Sequence, residues 1–66
     1  MKVFVNGSAH DLAPGSSVAE VVAGWSRTDQ GVAVAVNDQV VSRGSWSEVE
    51  LAEGDRVEIL TAVQGG

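Results

Sequence analysis

The clearest local signal in the chain is also a weak one: a single short helix between Ser17 and Trp25. Ser17 and Glu20 have the spacing of a capping box, in which each side chain satisfies a free backbone N–H at a helix start. Val18, Val21, Val22 and Trp25 then recur at i, i+3, i+4 and i+7, which makes one apolar stripe. The pattern predicts a helix from about 18 to 25, roughly two turns long. Gly24 weakens its last turn. So short a helix is marginal alone, and its stability must come from docking the stripe onto a sheet.

The rest of the chain supplies strands. Met1, Val3 and Val5 share one face of an opening strand, with Lys2 and Phe4 on the other. Asn6-Gly7 is a tight-turn signal, so His10-Asp11-Leu12 returns as a shorter second strand. Ala13-Pro14-Gly15-Ser16 breaks the chain before the helix, and Ser26 to Gly31 reads as polar connection after it. Val32-Ala33-Val34-Ala35-Val36 is the most β-prone run, bulky on one face and small on the other. Either face can lie under the helix. Asn37-Asp38 makes a turn into a short strand at Gln39-Val40-Val41. Val49 and Leu51 alternate with Glu50 as a further short strand. Glu53-Gly54-Asp55 turns the chain into an amphipathic strand, Arg56 to Leu60, with Val57 and Ile59 inward. This order predicts an α+β fold of the β-grasp type, a mixed sheet of four to five strands around one short helix. The first and last strands of such a sheet pair in parallel at its centre. The expected division is a domain over residues 1–60 and a flexible tail over 61–66.

Size and composition narrow the function. Sixty-six residues make one domain, and with no cysteine the chain has neither disulfides nor thiolate metal sites, so it folds on apolar packing. The net charge is −5, which repels phosphate backbones and argues against nucleic acid. An acidic surface can steer association with a basic partner or simply maintain solubility. No apolar run approaches the ~20 residues that span a membrane, and the opening apolar run is too short for a signal peptide. A soluble, cytoplasmic protein, monomeric when free, is the expectation.

Few side chains offer chemistry. His10-Asp11 invites a catalytic reading with a serine, but the pair sits on a short strand in a domain too small for an obvious substrate pocket. A solvated edge-strand histidine is the simpler reading. Glu48, Glu50, Glu53, Asp55 and Glu58 alternate with apolar positions as the wet side of strands, and no loop has the EF-hand spacing. No metal and no bound cofactor are expected. Trp25 continues the helical stripe into the core, and Trp46, in a polar segment, either covers one end of it or anchors a partner, cover being the simpler reading. Phe4, on the open face, is either a partner contact or partly covered by its neighbours.

What remains is the last stretch, Ala62-Val63-Gln64-Gly65-Gly66. Extended, five residues reach roughly 16–18 Å from the body of the domain. Glycine has no Cβ, so a terminal carboxylate on Gly65-Gly66 can enter a narrow channel in another enzyme.

Taken together the chain resembles the ThiS family, the small ubiquitin-like sulfur carriers of thiamine biosynthesis. The likeness runs through Asn6-Gly7, the Ser17-Val18-Ala19-Glu20 helix start, and the run from Val32 to Val41. It continues through Arg43, Trp46, Glu53-Gly54-Asp55-Arg56-Val57-Glu58-Ile59 and the Thr61-to-Gly66 tail. Many relatives carry Asn-Gly where this chain has Asn37-Asp38, and often proline where it has Ser42. The resemblance implies a protein substrate rather than an enzyme. A ThiF-type adenylyltransferase would use ATP to activate the Gly66 carboxylate. Sulfur from a cysteine desulfurase or other donor would displace AMP and leave a thiocarboxylate, for delivery to a ThiG-type thiazole synthase. Gly66 would carry the chemistry, while Gly65, Gln64, Val63 and Ala62 would give access and partner contact. Two other readings stay open: a carrier like the small subunit of molybdopterin synthase, whose members are usually longer, and a ubiquitin-like interaction module whose tail is never activated.

Overall fold

The computed structural model describes residues 1–25 and 31–61. Residues 26–30 of the expected polar connection and residues 62–66 of the tail lie outside them. Five strands and one α-helix follow in the order β1 (Lys2–Val5), β2 (Ser8–Asp11), α1 (Val18–Trp25), β3 (Val32–Val36), β4 (Gln39–Val41) and β5 (Arg56–Thr61). A 3₁₀ turn, Arg43–Ser45, lies between β4 and β5. The strands form a single sheet ordered β2-β1-β5-β3-β4. β1 and β5 are parallel, and the other neighbours are antiparallel. The fold is therefore α+β, of the ubiquitin-like β-grasp type, with its first and last strands paired at the centre.

Both hairpins turn on an asparagine. Asn6 and Gly7 have φ of 50° and 85°, and Asn37 and Asp38 have φ of 51° and 70°. Positive φ at both central residues is the type I′ geometry, whose twist matches that of the flanking strands. A two-residue loop at Asn6-Gly7 forces Val5 opposite Ser8, so β2 begins two residues earlier than expected and ends at Asp11. β5 runs one residue further than its alternation foretells, through Thr61, because Thr61 still pairs with Val32.

The core lies between the sheet and α1. Val3, Val5, Val34, Val57 and Ile59 from the strands meet Val18, Val21 and Val22 from the helix, with Leu51 and Trp46 closing the rest. In β3 the valines take the helix side and the alanines the open side, which settles the choice left by the sequence: Val34 is buried and Ala33 exposed. Branched side chains fill the space under a short helix better than alanine does. Trp46 covers one end of the core as expected, and its indole N–H donates to the Val41 carbonyl at 2.9 Å.

Two expectations fail. Trp25 is 43% exposed, not core. It is the last residue of α1, and its ring meets the His10 imidazole edge-on, with centroids 5.2 Å apart. Val49 to Leu51 forms no strand of the sheet either. Its alternation is real, with Leu51 buried and Glu50 exposed, but among the described residues its only β contact is an isolated bridge between Glu50 and Ser17.

That segment serves the helix instead. The first backbone N–H groups of a helix have no partner within it. Here the Val18 N–H donates to the Val49 carbonyl at 2.9 Å and the Ala19 N–H to the Trp46 carbonyl at 3.1 Å. The Glu20 N–H donates to Ser17 Oγ at 3.2 Å, which is the serine half of the expected capping box, and the Val21 N–H reaches the Ser17 carbonyl at 3.2 Å. A loop distant in sequence thus caps the helix.

Replacing Ser17 by alanine removes one of these acceptors and should cost about 1 kcal/mol in urea unfolding. Val57→Ala should cost about 2–3 kcal/mol, because Val57 is 1% exposed and the lost methyl groups leave a cavity at the sheet centre. Val40→Ala, at a site 83% exposed, should change stability by less than about 0.5 kcal/mol in the same measurement.

Candidate functional site

β5 connects the core to the tail, and its alternation divides its side chains between two surfaces. Val57 and Ile59 point to the helix, while Arg56, Glu58 and Leu60 lie on the open face of the sheet. Cross-strand pairing sets their company. Phe4 lies opposite Arg56, Ala35 opposite Glu58, Ala33 opposite Leu60, and Val40 opposite Ala35 on the far side. The open face therefore carries an apolar strip of Phe4, Leu60, Ala33, Ala35 and Val40, broken by one arginine and one glutamate. Leu60 is 67% exposed. The alanines keep the middle of this face low, so the larger side chains stand above a shallow floor.

Phe4 sits where the β1 alternation put it, on the open face and half-buried. It lines an open groove of about 660 Å³ together with Asn6, Gly54, Arg56 and Glu58. Its neighbours thus cover it in part. Arg56 also bridges to Asp38 at 3.4 Å, with both side chains well exposed, so the pair adds little to stability. Ala62, Val63, Gln64, Gly65 and Gly66 lie outside the described residues. Thr61, the last described residue, ends β5 as an exposed residue on the sheet.

His10 offers no catalytic arrangement. Its Nε2 is buried with no hydrogen-bond partner among the described residues, and its ring packs against Trp25. A general base needs its nitrogen within hydrogen-bond reach of the group it deprotonates. The acidic residues are equally dispersed: among the described residues, no group of three or more His, Cys, Asp or Glu side chains could hold a metal. No helix among the described residues is long and apolar enough to cross a membrane.

Side-chain amides are what the sequence left unread. Asn6 and Asn37 each hold β5 from opposite edges. Asn6 Oδ1 accepts from the Ile59 N–H at 2.8 Å, and its Nδ2 donates to the Ile59 carbonyl at 3.2 Å. Asn37 Oδ1 accepts from the Arg56 N–H at 3.0 Å, and its Nδ2 donates to Asp55 Oδ1 at 3.0 Å. Asn6-Gly7 and Asn37-Asp38 are read from sequence as turns, and the turn signal masks the second use. Leu60 was legible: it lies one residue beyond Ile59 and so on the opposite face.

Comparison with known proteins agrees with this architecture. The chain is 29% identical to the sulfur carrier protein ThiS of Escherichia coli K12, over the full length of both. It is 35% identical over its 66 residues to a thiazole synthase of Magnetococcus marinus, of which it spans only 20% of the length. The crystal structure of the thiamine biosynthesis protein ThiS from Geobacter metallireducens superposes with a TM-score of 0.80 at 28% identity, covering all of both chains. The model of the ThiS family matches residues 3–66, from the first core valine through both terminal glycines. With the strand order, the central parallel pair and nearly every residue matched, the chain belongs to the ThiS family.

Proposed function

We propose that this chain is a sulfur carrier protein of thiamine biosynthesis, a protein substrate rather than a catalyst, and that Gly66 is its working residue. The observation that carries the proposal is the reach of the family match, which runs through Gly65-Gly66 and not only through the folded domain. The full-length similarity to a sulfur carrier supports the same reading.

The chemistry follows from what a carboxylate lacks. It is a poor electrophile, because its leaving group would be oxide. A ThiF-type adenylyltransferase would direct the Gly66 carboxylate onto the α-phosphorus of ATP, with pyrophosphate leaving. The acyl adenylate then has a good leaving group. A sulfide-level nucleophile adds to the acyl carbon, AMP departs, and a thiocarboxylate remains. Where a cysteine desulfurase supplies the sulfur as a protein persulfide, AMP departs to leave an acyl disulfide, and a thiol then attacks the donor's sulfur, forming a disulfide and releasing the thiocarboxylate. ATP is thus bound by the partner and not by this chain. The chain's own residues hold and present the tail: Ala62, Val63 and Gln64 provide reach and contact, and Gly65 lets the backbone pass a narrow opening.

A thiazole synthase of the ThiG type is the receiving partner in this reading. The similarity to one fifth of a thiazole synthase supports it, since a segment like this chain occurs there in the same polypeptide. The open face is the proposed docking surface. Phe4 and Leu60 are its large apolar side chains beside the strand that leads to the tail, and exposed apolar residues of this kind anchor partners.

Incubation of the purified chain with ATP, a ThiF-type enzyme and sulfide should add the mass of an oxygen-to-sulfur exchange, located in the C-terminal peptide. An unchanged mass under conditions that modify another ThiS protein would sink the proposal. Deleting Gly66, or adding a residue after it, should abolish adenylation with the circular dichroism spectrum unaltered. Leu60→Thr keeps β propensity, so stability should hold to within about 0.5 kcal/mol. Its KM in adenylation should rise about five- to tenfold, measured by pyrophosphate release.

A further inference from the structure

We infer that Asn6 is a positioning residue for the C-terminal tail, acting through β5; this rests on the proposed chemistry at Gly66. β1 pairs with β5 at only two positions, Phe4 with Arg56 and Val5 with Val57. The Asn6 N–H adds one more bond, to the Val57 carbonyl at 2.9 Å, and the chain then turns away into β2. Beyond that point β5 would have a neighbour on one edge only. On that edge β3 continues, pairing as far as Val32 with Thr61.

The Asn6 side chain replaces the missing strand. A primary amide has the donor and acceptor of a peptide group, and it takes both main-chain groups that Ile59 turns towards β1. The two bonds extend the parallel ladder by one residue after the backbone has left it. Ile59 is therefore held from both edges, two residues before β5 ends at Thr61. A strand gripped on one edge can pivot about it, and a grip on both edges fixes the line along which the following residues leave the sheet. For a tail whose last atom has to meet a phosphorus inside another enzyme, that line decides how often the carboxylate is in place.

The fold contains its own control. Asn37 occupies the same position of the same type of turn, with φ of 51° against 50° for Asn6. Its amide also bonds β5, at Arg56, where the strand begins. The two side chains make similar bonds to one strand, and only one of them lies near the exit.

The test uses the full chain with Asn6→Gly and Asn37→Gly. Glycine accepts the positive φ and keeps the turn, so each variant loses the amide alone. Hydrogen exchange should speed up at the Ile59 amide in Asn6→Gly and at the Arg56 amide in Asn37→Gly. In adenylation by a ThiF-type enzyme with ATP, Asn6→Gly should lower kcat about three- to tenfold with KM little changed, while Asn37→Gly keeps the wild-type kcat. Equal loss of kcat in both variants would show a general effect of stability and overturn the inference. So would a wild-type kcat in Asn6→Gly despite faster exchange at Ile59. A change confined to KM would mark Asn6 as a docking contact in the groove and equally overturn it. A wild-type chain that is never adenylated removes the tail chemistry, and this role with it.

Discussion

The last strand of the chain lies in the middle of the sheet, and everything else is arranged around that placement. β5 is bonded to β1 in parallel on one edge and to β3 antiparallel on the other. Its inward residues, Val57 and Ile59, are buried against valines from β1, β3 and α1. No segment before β5 has a complete core without it. A parallel pair joining the first and last strands needs a crossover, and the helix between β2 and β3 both makes the crossing and roofs the sheet. In a chain with no cysteine, this closure of the two ends takes the place of a covalent tie.

The helix depends on the same closure in a second way. Eight residues with a glycine near the end would not persist in water. Docking the valine stripe supplies the apolar part of the stabilisation. The polar part comes from the loop between β4 and β5, whose carbonyls at Trp46 and Val49 take the N–H groups at the helix start. The loop holds its shape because Trp46 is buried and bonded to Val41. A short helix, an irregular loop and a tryptophan thus stabilise one another, and none of them is a regular element that would stand alone.

If the proposed function holds, one strand links three tasks. Alternate side chains of β5 build the core and the open face, and its end leads into the tail. Under the proposed function, a partner docked on Phe4 and Leu60 would touch the same strand that precedes the tail, so binding and presentation would share one support. The turn asparagines hold β5 from both edges, Asn37 at Arg56 where the strand begins and Asn6 at Ile59 near its end.

The elements set by local pattern were legible in the chain. The helix from Val18 to Trp25, the two asparagine turns, and the inward pairs Val3–Val5 and Val57–Ile59 follow from periodicities and backbone preferences that act within a few residues. What a segment pairs with was not legible, because periodicity names a face and not a neighbour. Val49 to Leu51 has a strand's alternation, yet it caps a helix: the Val49 carbonyl accepts from the Val18 N–H and the Leu51 N–H donates to the Ser16 carbonyl. Trp25 fits the helical stripe, yet it lies partly in solvent at the end of α1, with its ring against His10. Asn6 reads as a turn residue, and only the parallel approach of β5 gives its amide a second task. By itself the sequence determined which residues turn inward and where the chain bends, through local sterics and hydrophobic period. The tertiary structure alone decided which distant groups meet, because the bonds at Ile59, Arg56, Val49 and Trp46 join parts of the chain that no local preference connects.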